Sequence, residues 1–378
     1  MHFVAIGDIG PVDGMLHVGD EAMFEALVLE LRARGVDRIT AISSNVDDTR
    51  ARYGVDAVEG LGFTADREHN EQLLARGVSG AVREAVEQAD AVVVAGGGNM
   101  TSIWPSHVYT RAALGRLAAS AHVPFMVSGQ TIGPQLNERD SELVGEMLST
   151  SALFGVRESD SLALCSSLGT TPFLNADDAS FLADLTTSRE PLPLIPYALV
   201  SLSTHTAEHD KAAFVGAMAE LLDEVARHTA VVFSAHFAPL AGPPRGDELM
   251  HERVRSAMTQ PSGVVRVQDS ATSAKLARRA ELVISSRYHP VVFAVSGGVP
   301  SIGVPVDDYT TTKLTGALGN FGQSSLLPIE QLGDGADLFF DVWKARDLIR
   351  GRGLAEADAQ RAASAQWWDR IVRAAVPR

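Results

Sequence analysis

The run Ser285-Ser286-Arg287-Tyr288-His289-Pro290 follows an apolar segment, Leu282–Ile284, and places a cation, a phenol and an imidazole in three consecutive positions. Pro290 suits the first turn of a helix, which sets His289 at or next to the N-cap. Open backbone N–H groups and the positive end of the helix dipole lower an imidazole's pKa there, which suits anion binding or proton transfer near neutral pH. The competing reading is a buried histidine bonded to a backbone carbonyl, and Arg287, two positions earlier, favours the functional one. Arg157 ends another apolar run, in FGVRESDS (154–161). It either pairs with Glu158 or Asp160, or holds a phosphate or carboxylate bidentately. Lys313, in DDYTTTKLTGALG (307–319), reads by itself as a solvated helix lysine.

Two glycine-bearing stretches are further candidates. Residues 7–32 read as a strand, a Gly-rich loop and a helix, with Gly19 and Asp20 near the helix start. The stretch is neither GxGxxG nor a P-loop, so a turn capped by Asp20 and a ligand loop both remain open. Gly96-Gly97-Gly98-Asn99 follows the apolar run Ala91–Ala95. Three successive glycines remove every side chain where a ligand or second loop must come close, and this favours a ligand-facing loop over a simple turn. No Ser-His-Asp order, HExxH, EF-hand loop or His/Asp cluster at metal spacing stands out, so no required metal is expected.

The elements that position these residues alternate regularly. Strand-like runs at Phe3–Ile6, Arg38–Ser43, Ala91–Ala95, Pro124–Ser128 and Leu153–Val156 are interleaved with helical spacing at Glu21–Arg34, Asn70–Gln88, Arg111–Ala121, Glu138–Thr150 and Ser159–Leu168. Apolar-throughout strands of this kind belong to parallel sheets covered by helices on both faces. The proline-rich stretch 186–196 then interrupts. A second series follows, with strands at Ala198–Ser203, Ala230–Ser234, Val264–Gln268, Leu282–Ser285 and Ser301–Val304, and helices at Ala212–Ala226, Glu248–Met258, Thr272–Arg279 and Pro290–Ser296. The expected architecture is α/β: two Rossmann-like domains, residues 1–185 and 186–355, with ligands in the cleft between them, and a C-terminal helix over 356–378 crossing back. The Pro/Gly-rich stretch 236–248 is expected to be a loop at that cleft.

Composition bounds the function classes. The chain has 378 residues, 46% hydrophobic, and a formal net charge of −15, which argues against a surface built for nucleic acid or anionic lipid. The single cysteine, Cys165, forbids an intramolecular disulfide and fits a reducing compartment. MHFVAIGDIG reads as a first strand rather than a signal peptide, and no 18-residue apolar run suggests a membrane helix. A cytoplasmic location is expected.

Taken in order, GDEAMFEALVLELR, ADAVVVAGGGNM, SGQTIGP, GVRESDSLALCSSLG, ELVISSRYHPVVFAVSGGVPSIGV and KLTGALG, spread over about residues 3–320, resemble the polysaccharide pyruvyl transferase family. The resemblance implies a fold like the two-domain GT-B glycosyltransferases, and transfer of pyruvate from phosphoenolpyruvate to saccharide hydroxyls as a ketal, in cell-surface polysaccharide synthesis. His289 then matches the acid/base histidine. Arg157 and Lys313 match basic residues that hold the donor's phosphate and carboxylate, and Arg287 precedes the histidine as in the family motif. Gly19, Asp20, Gly96, Gly97, Gly98, Asn99 and His17 fall in loops that would shape the first-domain side of the cleft. The implied partners are phosphoenolpyruvate as co-substrate, with no other cofactor, and a nucleotide- or lipid-linked saccharide, the latter approached peripherally at a membrane. The sequence departs from the family pattern at His17, at Ser203 and in Arg-Tyr-His. A nucleotide-sugar glycosyltransferase of the same architecture and a catalytically silent glycan-binding relative are the alternatives.

Overall fold

The computed structural model describes residues 1–187, 191–266 and 269–376. Part of the expected interdomain stretch 186–196, and the end of the expected strand Val264–Gln268, lie outside them. In chain order the strands are β1 (His2–Ile6), β2 (Met15–His17), β3 (Arg38–Ser43), β4 (Asp56–Glu59), β5 (Ala91–Val94), β6 (Gly97–Met100), β7 (Phe125–Ile132) and β8 (Leu153–Val156). There follow β9 (Phe173–Leu174), β10 (Tyr197–Ser201), β11 (Ala230–Ser234), β12 (Phe237–Pro239), β13 (Ser262–Val265), β14 (Leu282–Ser285) and β15 (Ser301–Gly303). Packing divides the chain into two units: residues 1–12, 23–178 and 362–378 form the first, and 13–22 and 179–361 the second.

The first unit is built on a parallel sheet in the order β4-β3-β1-β5-β7-β8-β9, with β6 added beside β7. Its central strands are apolar on both faces. Val4, Ile6, Val92, Val94 and Val127 join one core cluster, while their neighbours Phe3, Ala5, Ala91, Val93 and Met126 join the other. That is the two-sided burial a parallel sheet requires, since alternate side chains point to opposite faces. The expected helix Asn70–Gln88 is instead two, Arg67–Arg76 and Gly80–Glu87. Gly77 breaks it with a φ of 78°, an angle a helix interior does not adopt, and Gly80 opens the second helix at 66°.

The second unit carries a parallel sheet ordered β13-β11-β10-β14-β15 over a core that includes Val200, Phe214, Ile284 and Ile302. It also holds a two-stranded antiparallel ribbon, β2 with β12, in which His17 lies opposite Phe237. This pairing, together with the Val18 N–H donating to the His236 carbonyl at 3.0 Å, brings residues 13–22 into the second unit rather than the first. The stretch 236–248 is therefore not a plain loop: it contains β12 and runs into the helix Asp247–Ala257.

The terminal helix starts at Gly335, well before residue 356, and runs to Ala374. Residues 362–376 pack in the first unit. There Trp367 Nε1 donates to Ser128 Oγ at 2.8 Å, and a Cβ at Gly155 would stand only 2.8 Å from the same indole.

Both parallel sheets reverse direction once. In the first, β1 lies between β3 and β5, so the order turns outward between β1 and β5; in the second it turns between β10 and β14. The crevice beyond the carboxyl ends of such a strand pair is where open α/β sheets bind ligands.

Candidate functional site

In the second unit, the segment after β14 forms one side of the reversal. The helix there spans Tyr288–Val295 with Arg287 as N-cap, so His289 sits within the first turn rather than at the cap, and Pro290 follows it. Proline is tolerated because first-turn N–H groups have no intrahelical acceptor. The backbone is tied across the reversal by Ser203 N–H donating to Ser286 Oγ at 2.8 Å and Ser286 N–H to the Ser201 carbonyl at 3.1 Å.

His289 is partly exposed. Its ring lies edge-on to Tyr288 at 5.0 Å between centroids and tilted against Phe293 at 5.9 Å. A Cβ placed on Gly19 would overlap the His289 imidazole, Nδ1 first. Gly19, in the first turn of the helix Val18–Ala33, is thus the backbone surface on which the ring rests. Lys313 also meets Tyr288. Its Nζ is 5.0 Å from the Tyr288 ring centre and 4.5 Å from that of Tyr309, and it donates to the Tyr309 hydroxyl at 3.0 Å. The structure therefore brings His289, Tyr288, Lys313 and Gly19 together.

Arg287 is differently engaged. Its Nη2 meets Asp247 Oδ1 at 2.5 Å and its Nε lies 3.0 Å from both carboxylate oxygens, while the guanidinium carbon sits 5.7 Å over Phe237. The Asp247 side chain is fully buried. It also accepts the N–H of His236 at 3.1 Å and of Phe237 at 2.8 Å. Arg287 thus neutralises the carboxylate that fixes the β11–β12 turn. His17 packs on the same Phe237 at 4.0 Å, with Nδ1 at 3.7 Å from Asp20. His236 is buried, and neither ring nitrogen has a hydrogen-bond partner among the described residues. Burial, then the neighbouring charge of His289, pushes its pKa down to about 3.

In the first unit, Arg157 has no exposed side-chain surface. Its Nη1 binds Asp177 Oδ2 at 2.5 Å, its Nε donates to Thr131 Oγ1 at 2.9 Å, and Glu158 lies at 3.7 Å. The main ionic partner is thus Asp177 rather than the local Glu158 or Asp160. The glycine run makes room for a neighbour of the protein's own. Asp178 Oδ2 accepts the Gly96 N–H at 2.9 Å and Oδ1 accepts from Ser128 Oγ at 2.8 Å. A Cβ at Gly96 would lie 2.9 Å from Met23 Sδ and 3.0 Å from Asp178, and one at Gly97 would meet Gln130 at 3.0 Å. Gly97, Gly98 and Asn99 belong to β6, which pairs with β7. Burial, then the charge of Asp177, pushes the pKa of Asp178 up to about 7.

Sequence reasoning passed over Asp177, Asp178, His236 and Asp247. The two aspartates before β10 carry no periodic signal, and Asp247 reads as an ordinary helix-start carboxylate. Only their distant partners give them meaning. Among the described residues there is no group of three or more His, Cys, Asp or Glu placed to hold a metal ion, and no helix is long and apolar enough to cross a membrane.

Comparison with solved structures shows a GT-B-like fold. The UDP-N-acetylglucosamine 2-epimerase of Neisseria meningitidis bound to UDP-GlcNAc is 11% identical, with 94% of each chain covered and a TM-score of 0.61. Anabaena HepE in complex with UDP is 11% identical, covering 99% of this chain and 100% of that one, with a TM-score of 0.60. The glycosyltransferase of kitacinnamycin is 14% identical, covering 100% of this chain and 99% of that one, also at 0.60. No curated protein is similar enough to count as a relative. The model of the family "Polysaccharide pyruvyl transferase" matches residues 17–308, from His17 through β15 to the start of the Lys313 helix. The chain belongs to the polysaccharide pyruvyl transferase family, a family of transferases.

Proposed function

We propose that the protein transfers pyruvate from phosphoenolpyruvate to two hydroxyls of a nucleotide- or lipid-linked saccharide, in the cytoplasm and without a metal or other cofactor. The oxygen of one hydroxyl bonds to C2 of the enol while C3 takes up a proton, so that the methylene becomes a methyl group. The C2–O bond to phosphate then breaks as the second hydroxyl oxygen bonds to C2. Of the two hydroxyl protons, one balances that given to C3 and the other leaves on the phosphate. The products are a pyruvyl ketal and hydrogen phosphate.

His289 is assigned the proton transfer to C3, and Lys313, one tyrosine ring away, the charge of the donor. Arg287 positions the loop through Asp247. For Arg157 a donor contact rests on the family resemblance, since its guanidinium is already held by Asp177. The observation that carries the reading is the seating of His289 on the bare backbone of Gly19 beside Tyr288, within the stretch the family model matches.

A nucleotide-sugar glycosyltransferase is the second reading, favoured by the UDP-bound structures that share the fold. Incubation with phosphoenolpyruvate and a panel of UDP- and polyprenyl-linked saccharides separates the two. Acceptor-dependent phosphate release supports pyruvyl transfer. Turnover of a nucleotide sugar without phosphate release from phosphoenolpyruvate overturns it.

A further inference from the structure

The first unit's sheet ends at β4, and beside that edge lies a hollow of about 280 Å³ that takes no part in the site above. Its lining comes from the carboxyl end of β4, from the loop 60–66 and from the helices Arg67–Arg76 and Gly80–Glu87. Val82, 4% exposed, belongs to the core, and half-buried Leu61, Phe63 and Val78 pack against that core, so this wall is apolar and held in place. At Gly60 and Gly77, which also line it, an added Cβ would meet no atom within 4 Å. The chain leaves the space beside them open.

The charged side chains of the lining decide what it offers. Arg67 and Arg83, on the same two helices, hold Asp140 at 2.8 Å and Glu87 at 3.0 Å. Glu59 and Arg76 are both exposed, and among the described residues neither makes an ion pair or a side-chain hydrogen bond, with each other or with any other residue. A carboxylate and a guanidinium thus stand uncommitted on the rim of one apolar hollow. Such a pocket draws affinity from its apolar wall and selectivity from its few polar groups. An anion alone would meet Glu59, and a cation alone would meet Arg76, as a like charge. A ligand carrying both charges on a short apolar body meets every feature of the lining: a carboxylate suits the guanidinium fork and an ammonium suits Glu59. The volume, just under the roughly 300 Å³ at which pockets for drug-sized ligands begin, fits a body of one branched chain or one ring.

We infer that this hollow binds a free α-amino acid with an apolar side chain, its carboxylate on Arg76, its ammonium on Glu59 and its side chain against Leu61, Phe63, Val78 and Val82. None of these residues belongs to the site assigned to pyruvyl transfer, and the binding requires no phosphoenolpyruvate.

Saturation-transfer NMR and amide-shift mapping on the full chain, with L-leucine, L-isoleucine and L-phenylalanine as probes, test the site. At least one of the three is expected to bind the wild-type chain and to move the amide signals of residues 59–63 and 76–82. Leucine's skeleton without its ammonium, 4-methylpentanoate, and without its carboxylate, 3-methylbutylamine, should each bind about tenfold more weakly than leucine, the size of one charge-assisted hydrogen bond. Arg76→Gln and Glu59→Gln are each expected to weaken the amino acid about tenfold as well. Both side chains are exposed and make no bond within the described chain, so the fold is kept in both variants. Failure of all three amino acids to bind the wild-type chain, shifts confined to other residues, a single-charge analogue that binds as tightly as leucine, or unchanged affinity in either variant overturns the site.

Discussion

The two sheets reverse in the same way but are furnished with opposite charge. Beyond β10 and β14 stand His289, Arg287 and Lys313, with one buried carboxylate, Asp247, consumed by Arg287. Near β1 and β5 stand Asp8 and Asp178, while Arg111 and Arg157 are buried against Asp8 and Asp177. In a chain of net charge −15, an anion can be held only where cationic groups are gathered locally, and His289 and Lys313 are two basic side chains that both meet Tyr288. At the reversal of the first sheet Arg111 and Arg157 are instead buried, and Asp8 is the more exposed member of its pair. The same topology therefore carries the more exposed cation at one reversal and the more exposed carboxylate at the other, Arg287 over Asp247 and Asp8 over Arg111.

This contrast breaks most severely if the Arg287 carboxylate is removed. Asp247→Ala leaves a partly buried guanidinium unpaired and frees the His236 and Phe237 amides, and an expected destabilisation of about 3 kcal/mol is read by urea unfolding. Gly19→Ala is expected to act on turnover instead. The added methyl displaces the His289 ring, and a shift of about 1 Å lowers kcat about 100-fold with a small change in thermal midpoint. An active Gly19→Ala variant would show that His289 need not rest where it does.

The smallest effect sharpens the comparison through pH. Asp178 has a folded pKa raised to about 7, so its contribution to stability is complete below the unfolded carboxylate pKa and is lost as pH rises through about 7. His236, lowered to about 3, does the reverse: its contribution is present above the unfolded imidazole pKa and is lost as pH falls towards 3. Thermal midpoints between pH 4 and 8 should accordingly show Asp178→Asn gaining on the wild type as pH rises, and His236→Gln gaining as pH falls. Slopes of the same sign in both variants would remove the contrast between the units.

Much of this was legible in the sequence, because burial on both faces writes a strand as a continuous apolar run. Arg38–Ser43, Leu153–Val156, Ala230–Ser234 and Leu282–Ser285 have the bounds expected of them. The ribbon of β2 and β12 was not legible: three residues pair with three others more than 200 positions away, and neither strand is long enough to show a period. It is this ribbon that carries Gly19 to His289. The Gly96–Gly98 run was readable as a need for space, but not as space for Asp178, since a buried carboxylate looks like any other aspartate until its partners are known. Arg157 gave the same difficulty, its partner Asp177 lying 20 residues on.

If His289 moves the proton in a phosphoenolpyruvate-dependent transfer, its loss must stop turnover without emptying the donor site. The direct measurement is acceptor-dependent phosphate release by the wild-type chain and by His289→Asn, with circular dichroism confirming the fold of both. The expected result is a fall in kcat of about 1,000-fold, within the range of general acid catalysis, and a KM for phosphoenolpyruvate nearly unchanged. A folded His289→Asn variant that releases phosphate at the wild-type rate would contradict it.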